Sequence, residues 1–154
     1  MTPRLANPAK AAPEAYQAML KLEQAVAASG LEHSLLELLK IRVSQINGCA
    51  YCLHMHTADA RRAGEDEVRL HLLAAWRESS LFSPRERAAL TWAESLTRIE
   101  QSQASDADYA VFKAEFNEAE QVNLTFAIGA INVWNRLAVG FRSAHPAGPA
   151  RVAA

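Results

Sequence analysis

Apolar residues recur at helical spacing along almost the whole of this 154-residue chain, and this periodicity restricts its fold more than any other feature. Runs of alternating β-branched residues, which are typical of strands, are absent from the sequence. The segment between Leu35 and Ile46 is apolar around so much of a helical circumference that we expect most of it to be buried. The pattern therefore predicts an all-α fold of about six to seven helices.

Glycine, proline and capping residues divide this pattern into helices, because they start or stop the helical backbone at definite points. Ser83-Pro84-Arg85-Glu86 is the sharpest boundary, since it combines an N-cap, a proline at the first helical position and a glutamate at the third. The other predicted boundaries are the stops at Gly30, Asn47-Gly48 and Gly64, the starts at Pro13, His33, Cys49, Glu65, Ser105 and Asn117, and a polar connector over residues 101–105.

Length and composition indicate one domain, which we place at residues 13–143. Residues 1–12 are expected to form a flexible N-terminus. Residues 144–154, rich in proline, alanine and glycine, are expected to form a disordered tail. With 16 lysines and arginines against 17 acidic residues, the net charge of -1 predicts neither a nucleic-acid partner nor an anionic membrane surface.

The N-terminal residues lack the apolar core of a signal peptide, and no later run approaches the roughly 18 uninterrupted apolar residues of a membrane helix. We therefore expect a cytoplasmic protein without a membrane segment. In a reducing compartment, a close pair of cysteines is more often catalytic or metal-binding than a static cross-link.

The only two cysteines stand in the run Cys49-Ala50-Tyr51-Cys52, and His56 follows the second by four positions. On a helix, Cys49, Cys52 and His56 would lie along one face. A thiol reacts as its thiolate, which a helix N-terminus and a nearby base both favour, so Cys52 is the better placed nucleophile with His56 one turn away. Cys49 could then attack an oxidised Cys52 and close a disulfide.

Spacing alone leaves other interpretations open. Cys49, Cys52 and His56 could supply three ligands to zinc, although no second Cys-x-x-Cys or histidine pair is present to complete a structural site. The cysteines could also be inert apolar residues of a core. Glu37, in the apolar helix before the motif, could face the dithiol as a proton acceptor with a raised pKa, or it could pair with Lys40 or face solvent.

One spacing of the candidate site residues occurs a second time in the sequence. The intervals from Glu37 to the two cysteines recur from Glu120 to Asn132 and Asn135. If the two helix pairs are structural repeats, only the first carries thiols. The second pair is then expected to serve packing.

Together these residues resemble the core signature of the AhpD-like alkylhydroperoxidase branch of the carboxymuconolactone decarboxylase superfamily. The signature is Glu37, an interval of eleven residues, Cys49-Ala50-Tyr51-Cys52, three residues and His56. The resemblance extends to residues 58–64, 83–90 and 132–137 and covers residues 14–143.

This resemblance implies an all-α subunit that assembles as a trimer or a hexamer, and a peroxidase that needs no metal, haem or other cofactor. Cys52 matches the peroxidatic nucleophile, and Cys49 matches its proton donor and resolving partner. Glu37 and His56 match the proton relay. The implied substrate is hydrogen peroxide or an organic hydroperoxide, and the implied reductant is an external dithiol, a lipoylated protein or another thiol carrier.

Tyr51 departs from the family pattern, because the best-known members carry a second relay histidine at this position. A phenol can form hydrogen bonds but is a weak base near neutral pH, so Tyr51 would be an imperfect substitute in the relay. We therefore expect slower or differently tuned peroxidase turnover.

Two other classes of function are alternatives to the peroxidase. The chain could be a general thiol-disulfide oxidoreductase that acts on a protein partner. It could instead be a non-catalytic helical assembly module whose thiols bind metal or are inert. The decarboxylase members of the superfamily act without such a dithiol, so the two cysteines argue against that activity.

Overall fold

The computed structural model describes residues 2–146, and these residues form helices and connecting loops without strands. The α-helices of this range are α1 (Pro8–Ala11), α2 (Pro13–Ala27), α3 (His33–Asn47), α4 (Ala50–Arg62), α5 (Glu67–Leu72), α6 (Pro84–Thr97), α7 (Ile99–Ser102), α8 (Asp106–Glu115) and α9 (Glu118–Phe141). A 3-10 helix, Leu73–Glu78, continues α5. The all-α prediction is confirmed, and the two α-helices beyond the expected number, α1 and α7, have 4 residues each.

The central helix is α3, which lies between two groups of buried side chains. Leu35, Leu39 and Val43 face the main core, which residues of α6, α8 and α9 complete. Leu38 and Ile41 face a smaller core that includes residues of the 3-10 helix. Each fully buried aliphatic side chain contributes about 1.5–3 kcal/mol to the free energy of folding. Because α3 buries such side chains in both cores, it contributes strongly to the stability of the fold. This burial also explains why the sequence of α3 is apolar around most of its circumference.

The predicted starts of the later helices are confirmed by their caps. Ser83 and Glu86 form a reciprocal capping box before α6, and Asn117 and Glu120 form another before α9. Ser105 caps α8 with its hydroxyl. These contacts satisfy backbone N–H groups that have no partner inside a helix, so they fix where each helix begins.

Two local expectations differ from the structure. The helix predicted to start near Glu65 changes into the 3-10 helix, where Ala75 lies outside helical dihedral angles. The neighbouring Trp76 is buried and donates its indole N–H to Glu94 at 2.8 Å. We attribute the change of backbone conformation to this tertiary contact. The polar connector predicted over residues 101–105 contains the end of α7.

The segments outside the predicted domain are only partly described. Residues 1–12, expected to be flexible, contain α1, and the backbone N–H of Arg4 donates to the carbonyl of Phe141 at 2.9 Å. Residues 144–146 are not helical. Met1 lies outside the described residues. So do residues 147–154, which are most of the tail that was expected to be disordered.

In residues 2–146, α9 is the single helix whose length and composition would allow it to cross a membrane, with a mean hydropathy of 1.2. Its buried side chains, among them Leu124, Ile128 and Ile131, pack in the main core. We therefore describe α9 as a core helix of the fold.

Candidate active site

The two cysteines lie at the tight turn between α3 and α4. Gly48 ends α3 with a left-handed backbone (φ +65°), a conformation that glycine adopts without steric cost. Cys49 follows as the N-cap of α4, and its own N–H donates to the carbonyl of Ser44 at 3.0 Å. The sulfur atoms of Cys49 and Cys52 are joined as a disulfide, with a Cα–Cα distance of 5.4 Å. The predicted placement of the motif at a helix N-terminus is confirmed.

The two sulfur atoms have different surroundings. The sulfur of Cys49 accepts the backbone N–H of Cys52 at 3.3 Å, so the positive end of α4 acts directly on Cys49. Cys52 instead contributes to the wall of a cavity of about 400 Å³, to which His56 also belongs. Both cysteines are almost fully buried, at 1% and 2% exposure, and Cys52 is the one that borders this cavity.

Glu37 and His56 form a buried pair beside the cysteines. The Nδ1 atom of His56 lies 2.9 Å from Oε2 of Glu37, and the two residues are 6% and 5% exposed. An ionised carboxylate can only accept hydrogen bonds, so Nδ1 carries the hydrogen and donates it. The other ring nitrogen, Nε2, is then left to accept a proton. The pair has the arrangement of a general base and the carboxylate that orients it.

Of the interpretations that the sequence left open for Glu37, a raised pKa is contradicted by its surroundings. Burial acts to raise the pKa of this carboxyl. The hydrogen bond from His56 and the nearby charges of His56, Lys40 and His33 outweigh burial, so the pKa lies below the ordinary glutamate value. Glu37 is therefore an ionised partner for His56 at neutral pH. The expected alternative of a Lys40 contact is also present, since Nζ of Lys40 lies 3.4 Å from Oε1 of Glu37.

A second carboxylate completes the surroundings of Lys40, and residue patterns did not reveal it. Nζ of Lys40 lies 3.3 Å from Oε2 of Glu23 on α2. The other oxygen of Glu23 accepts the indole N–H of Trp134 on α9 at 3.0 Å. Glu23 and Trp134 both line the cavity next to Cys52. Their contribution could not be read from spacing because they come from helices remote in sequence.

The cavity next to Cys52 has a largely apolar and aromatic wall. The tyrosine and tryptophan side chains in the wall belong to Tyr16, Tyr51 and Trp134, and the ring of Tyr16 packs edge-on against Trp134 with centroids 5.0 Å apart. The lining residues are Asn7, Pro8, Ala9, Tyr16, Leu20, Glu23, Tyr51, Cys52, Met55, His56, Trp134, Leu137, Ala138 and Ser143. Such a pocket accommodates a small organic molecule.

Tyr51, considered as a substitute in the proton relay, lies in this cavity wall and is 38% exposed. Within residues 2–146, its hydroxyl forms no hydrogen bond to Glu37 or His56. Tyr51 therefore shares the cavity with His56 without a hydrogen bond to the Glu37–His56 pair.

A cluster of three amides, of which Asn135 is fully buried, holds the cysteine turn from the side of α9. The side-chain N–H₂ of Asn47, next to Gly48, donates to the amide oxygens of Asn132 and Asn135 at 2.9 Å each. Asn135 in turn donates to the hydroxyl of Ser44 at 3.0 Å. Asn132 and Asn135 are the residues at which the spacing of Glu37 and the cysteines recurs, and they support the turn. An amide within the apolar pattern of α9 is the signal that could have revealed this role.

Replacing Asn135 by alanine should lower the free energy of unfolding by about 2–3 kcal/mol, because it removes two hydrogen bonds of a buried side chain, one accepted from Asn47 and one donated to Ser44. Asn135 itself is 0% exposed. Asn123→Ala is the matched control on the same helix, for which we expect a change of roughly 0.5 kcal/mol or less. Urea denaturation measures both values. Equal effects of the two substitutions would contradict a supporting role of the cluster.

Glu37, His56 and Asp59 are the described residues whose positions would suit a metal ion, since their donor atoms lie within 4.8 Å of one another. These groups already have other partners. Glu37 contacts His56 and Lys40, and Asp59 pairs with Arg62 at 2.8 Å. A metal ion would have to displace these contacts, so we assign none to the cluster. The zinc set considered from spacing, Cys49, Cys52 and His56, would require the disulfide to be reduced first.

Comparison with known proteins places this geometry in a family. The profile of the Carboxymuconolactone decarboxylase family matches residues 13–95, which is more than half of the chain. The uncharacterized protein YdfG of Bacillus subtilis (strain 168) is 42% identical over 128 residues, which cover 83% of this chain and 87% of YdfG.

Solved structures of other proteins share the fold. ATU0492 of Agrobacterium tumefaciens, a protein of unknown function described as a candidate antioxidant defence protein AhpD, superposes with a TM-score of 0.91 at 46% identity, covering 96% of this chain and 100% of that one. An uncharacterized peroxidase-related protein with an AhpD core, from Ralstonia eutropha JMP134, has a TM-score of 0.78 at 19% identity, covering 95% and 78% of the two chains, which shows the fold alone. The chain therefore belongs to the carboxymuconolactone decarboxylase family and is an AhpD-like member of it.

Proposed function

We propose that this protein is a thiol-dependent peroxidase that reduces hydrogen peroxide or organic hydroperoxides through a Cys49/Cys52 dithiol-disulfide cycle. One observation carries the proposal. Cys52, bonded to Cys49, opens onto a cavity that also contains His56, whose ring is held by a buried, ionised Glu37. A nucleophile, a resolving thiol, a base and an access route thus lie together.

In the first step, His56 takes the proton from the Cys52 thiol, and Glu37 stabilises the imidazolium that forms. The thiolate attacks the distal oxygen of the hydroperoxide, so an S–O bond forms while the O–O bond breaks. The imidazolium returns the proton to the departing oxygen, which leaves as an alcohol or as water. Cys52 is now a sulfenic acid.

In the second step, the sulfur of Cys49 attacks the sulfur of the sulfenic acid. The S–S bond forms, the S–O bond breaks, and water leaves with the proton of the Cys49 thiol. The contact of the Cys49 sulfur with the N-terminus of α4 favours its thiolate and so favours this attack. Two thiols are oxidised for each hydroperoxide reduced.

An outside dithiol must then reduce the disulfide. Because both sulfur atoms are almost fully buried, the reductant has to reach Cys52 through the cavity. A small dithiol, or a dithiol carried on a flexible arm such as that of a lipoylated protein, fits this requirement better than a thiol on the surface of a folded partner. The burial of both sulfur atoms therefore favours the peroxidase function over that of a general oxidoreductase that acts on folded proteins. We place the cycle in the cytoplasm, where thiol reductants are abundant.

The cavity wall favours an organic hydroperoxide as substrate. Its apolar and aromatic residues would bury an alkyl or aryl group, while the hydroxyl of Tyr51, a residue of the cavity wall, can donate a hydrogen bond to the peroxide oxygens. We propose this substrate-binding role for Tyr51 in place of a role in proton transfer.

We also propose that the protein forms a homo-oligomer, a trimer or a hexamer. Large apolar side chains of α9, namely Val122, Phe126 and Val139, are between 48% and 56% exposed. Phe126 and Val122 belong to an apolar groove of about 520 Å³ on the side of α8 and α9. An exposed apolar groove of this kind is typical of a subunit contact.

A stoichiometric oxidation tests the peroxidase directly. The reduced protein is mixed with one equivalent of cumene hydroperoxide, and thiols, residual peroxide and protein mass are measured. We expect two thiols to be lost for each peroxide consumed, with a Cys49–Cys52 disulfide in the peptide map, and catalytic turnover when a dithiol is supplied. Cumyl alcohol, which has the same carbon skeleton without the O–O bond, should oxidise no thiol. Peroxide consumption no faster than that of free dithiol would contradict the proposal.

A further inference from the structure

Lys40 occupies an unusual position between two carboxylates. Its ammonium group lies 3.4 Å from Oε1 of Glu37 and 3.3 Å from Oε2 of Glu23, and its side chain is 14% exposed. The Glu37 oxygen that Lys40 contacts is not the one that contacts His56. Lys40 and His56 therefore hold the Glu37 carboxylate from both of its oxygens.

The ammonium of Lys40 is also held by a second carboxylate, that of Glu23. Glu23 holds it with one oxygen, and the other oxygen of Glu23 accepts the N–H of Trp134 at 3.0 Å. Trp134 is positioned by α9 and by its edge-on contact with Tyr16. A charged side chain held by this many contacts in a partly buried place loses the rotational freedom that lysines usually keep on a surface.

We propose that Lys40 is a positioning residue for the proton relay, and that its charge holds the Glu37 carboxylate ionised and directed at His56. The inference rests on the proposed peroxidase, because it adds Lys40 to the proton relay of that reaction. Lys40 belongs neither to the cysteine motif nor to the Glu37–His56 pair. Lys40 contacts neither the cysteines nor the cavity, so it acts through Glu37.

The charged groups around Glu37 determine the direction of the effect. His56 and Asp59 face it from α4, and Lys40 and His33 lie on its own helix. Glu65, from the loop after α4, lines a small cavity with Glu37 and is paired with Arg69.

Glu23, on α2, reaches Glu37 only through Lys40. Burial acts to raise the pKa of Glu37, and loss of the adjacent ammonium removes one of the charges that oppose burial. The carboxylate would then take up a proton at a higher pH than in the parent.

Lys40→Met tests this, because methionine keeps an unbranched stem and removes the charge. The titration of Glu37 is followed by NMR of protein carrying ¹³C-labelled glutamate carboxyls, with Glu37→Gln identifying the signal. We expect the pKa of Glu37 to rise by about one unit in Lys40→Met, since an opposite charge within ~4–6 Å typically shifts a carboxyl by one to three units. Lys40→Arg should restore most of the parent value. Lys21→Met, which removes an exposed lysine of α2, should leave it unchanged.

Glu23→Gln separates the charge of Lys40 from general disturbance of the site. The glutamine can still accept the N–H of Trp134 while Lys40 keeps its ammonium, so the pKa of Glu37 should stay at the parent value or fall. A rise as large as that in Lys40→Met would overturn the inference, as would an unchanged pKa in Lys40→Met.

The peroxidase assay gives a second and independent readout. In Lys40→Met, the acid limb of the pH profile of kcat/KM should move to higher pH, because Glu37 and His56 titrate as a coupled pair and that pair loses a neighbouring positive charge. In a Glu37→Gln background, Lys40→Met should produce no further shift. If the parent lacks peroxidase activity but the titration shifts as described, the positioning role stands and the proposed function fails. If activity is present and neither quantity shifts, only the positioning role fails.

Discussion

Replacing Cys52 by serine should reduce hydroperoxide consumption by at least roughly 10³-fold, because the variant lacks the nucleophile that forms the S–O bond. A serine hydroxyl is a far weaker nucleophile than a thiolate at neutral pH, and the alcohol cannot be converted into a sulfenic acid. The measurement is steady-state loss of cumene hydroperoxide with a dithiol reductant. Half of the parent activity in Cys52→Ser would exclude Cys52 as the nucleophile.

Cys49→Ser is the matched control, since it makes the same chemical change three residues away. This variant should consume one equivalent of peroxide rapidly and then stop or turn over slowly, because Cys52 still reacts but cannot be resolved within the chain. Mass spectrometry should show one added oxygen on Cys52, followed by a second as sulfinic acid accumulates. If both serine variants behaved alike from the first equivalent, the different roles of the two sulfur atoms would be wrong.

Replacing Glu37 by glutamine should lower kcat/KM for hydroperoxide by about 10–100-fold, because the imidazolium of His56 loses its counter-ion while the shape of the side chain is kept. The exposed glutamate Glu14 on α2 provides the control Glu14→Gln, which should keep the parent rate. A Glu37→Gln variant with parent kinetics between pH 6 and pH 8 would remove the carboxylate from the relay.

The same substitution has a consequence for stability that depends on pH. The pKa of Glu37 is lowered in the folded protein, so its ionised form stabilises the fold above the ordinary glutamate pKa. That contribution is lost as the pH falls through the lowered value. The difference in unfolding free energy between the parent and Glu37→Gln should therefore narrow on acidification, which urea denaturation at a series of pH values would measure. A difference that widened at low pH would contradict the lowered pKa.

Local patterns were sufficient for the helical class, for the capping boxes and for the position of the cysteines at the start of α4. These features depend on neighbours within a few residues, which spacing records well. The Glu37–His56 contact joins two helices, and residue types alone left it open until the family resemblance favoured it. Of the alternatives for Glu37, the raised pKa is contradicted and the Lys40 contact is present, because Lys40 and His56 both approach the carboxylate. The contact with His56 depends on helix packing, which apolar surroundings in the sequence do not reveal.

The parts of the site that sequence reasoning missed come from helices distant along the chain. Glu23 on α2 and Trp134 on α9 meet Lys40 and the cavity only after the helices have packed. The catalytic roles of Cys49, Cys52 and His56, and the assembly of subunits, stay predictions that the experiments above address.

The amide cluster around Asn47 also affects whether the reactive residues could be transferred into another protein. The cysteines, the histidine and Glu37 lie within one short stretch of chain, yet the turn that carries the cysteines is held by Asn132 and Asn135 near the other end. During synthesis the thiols emerge long before the helix that fixes their geometry. A graft of the short stretch into another helical hairpin would therefore carry the reactive groups without the support that gives them a fixed arrangement.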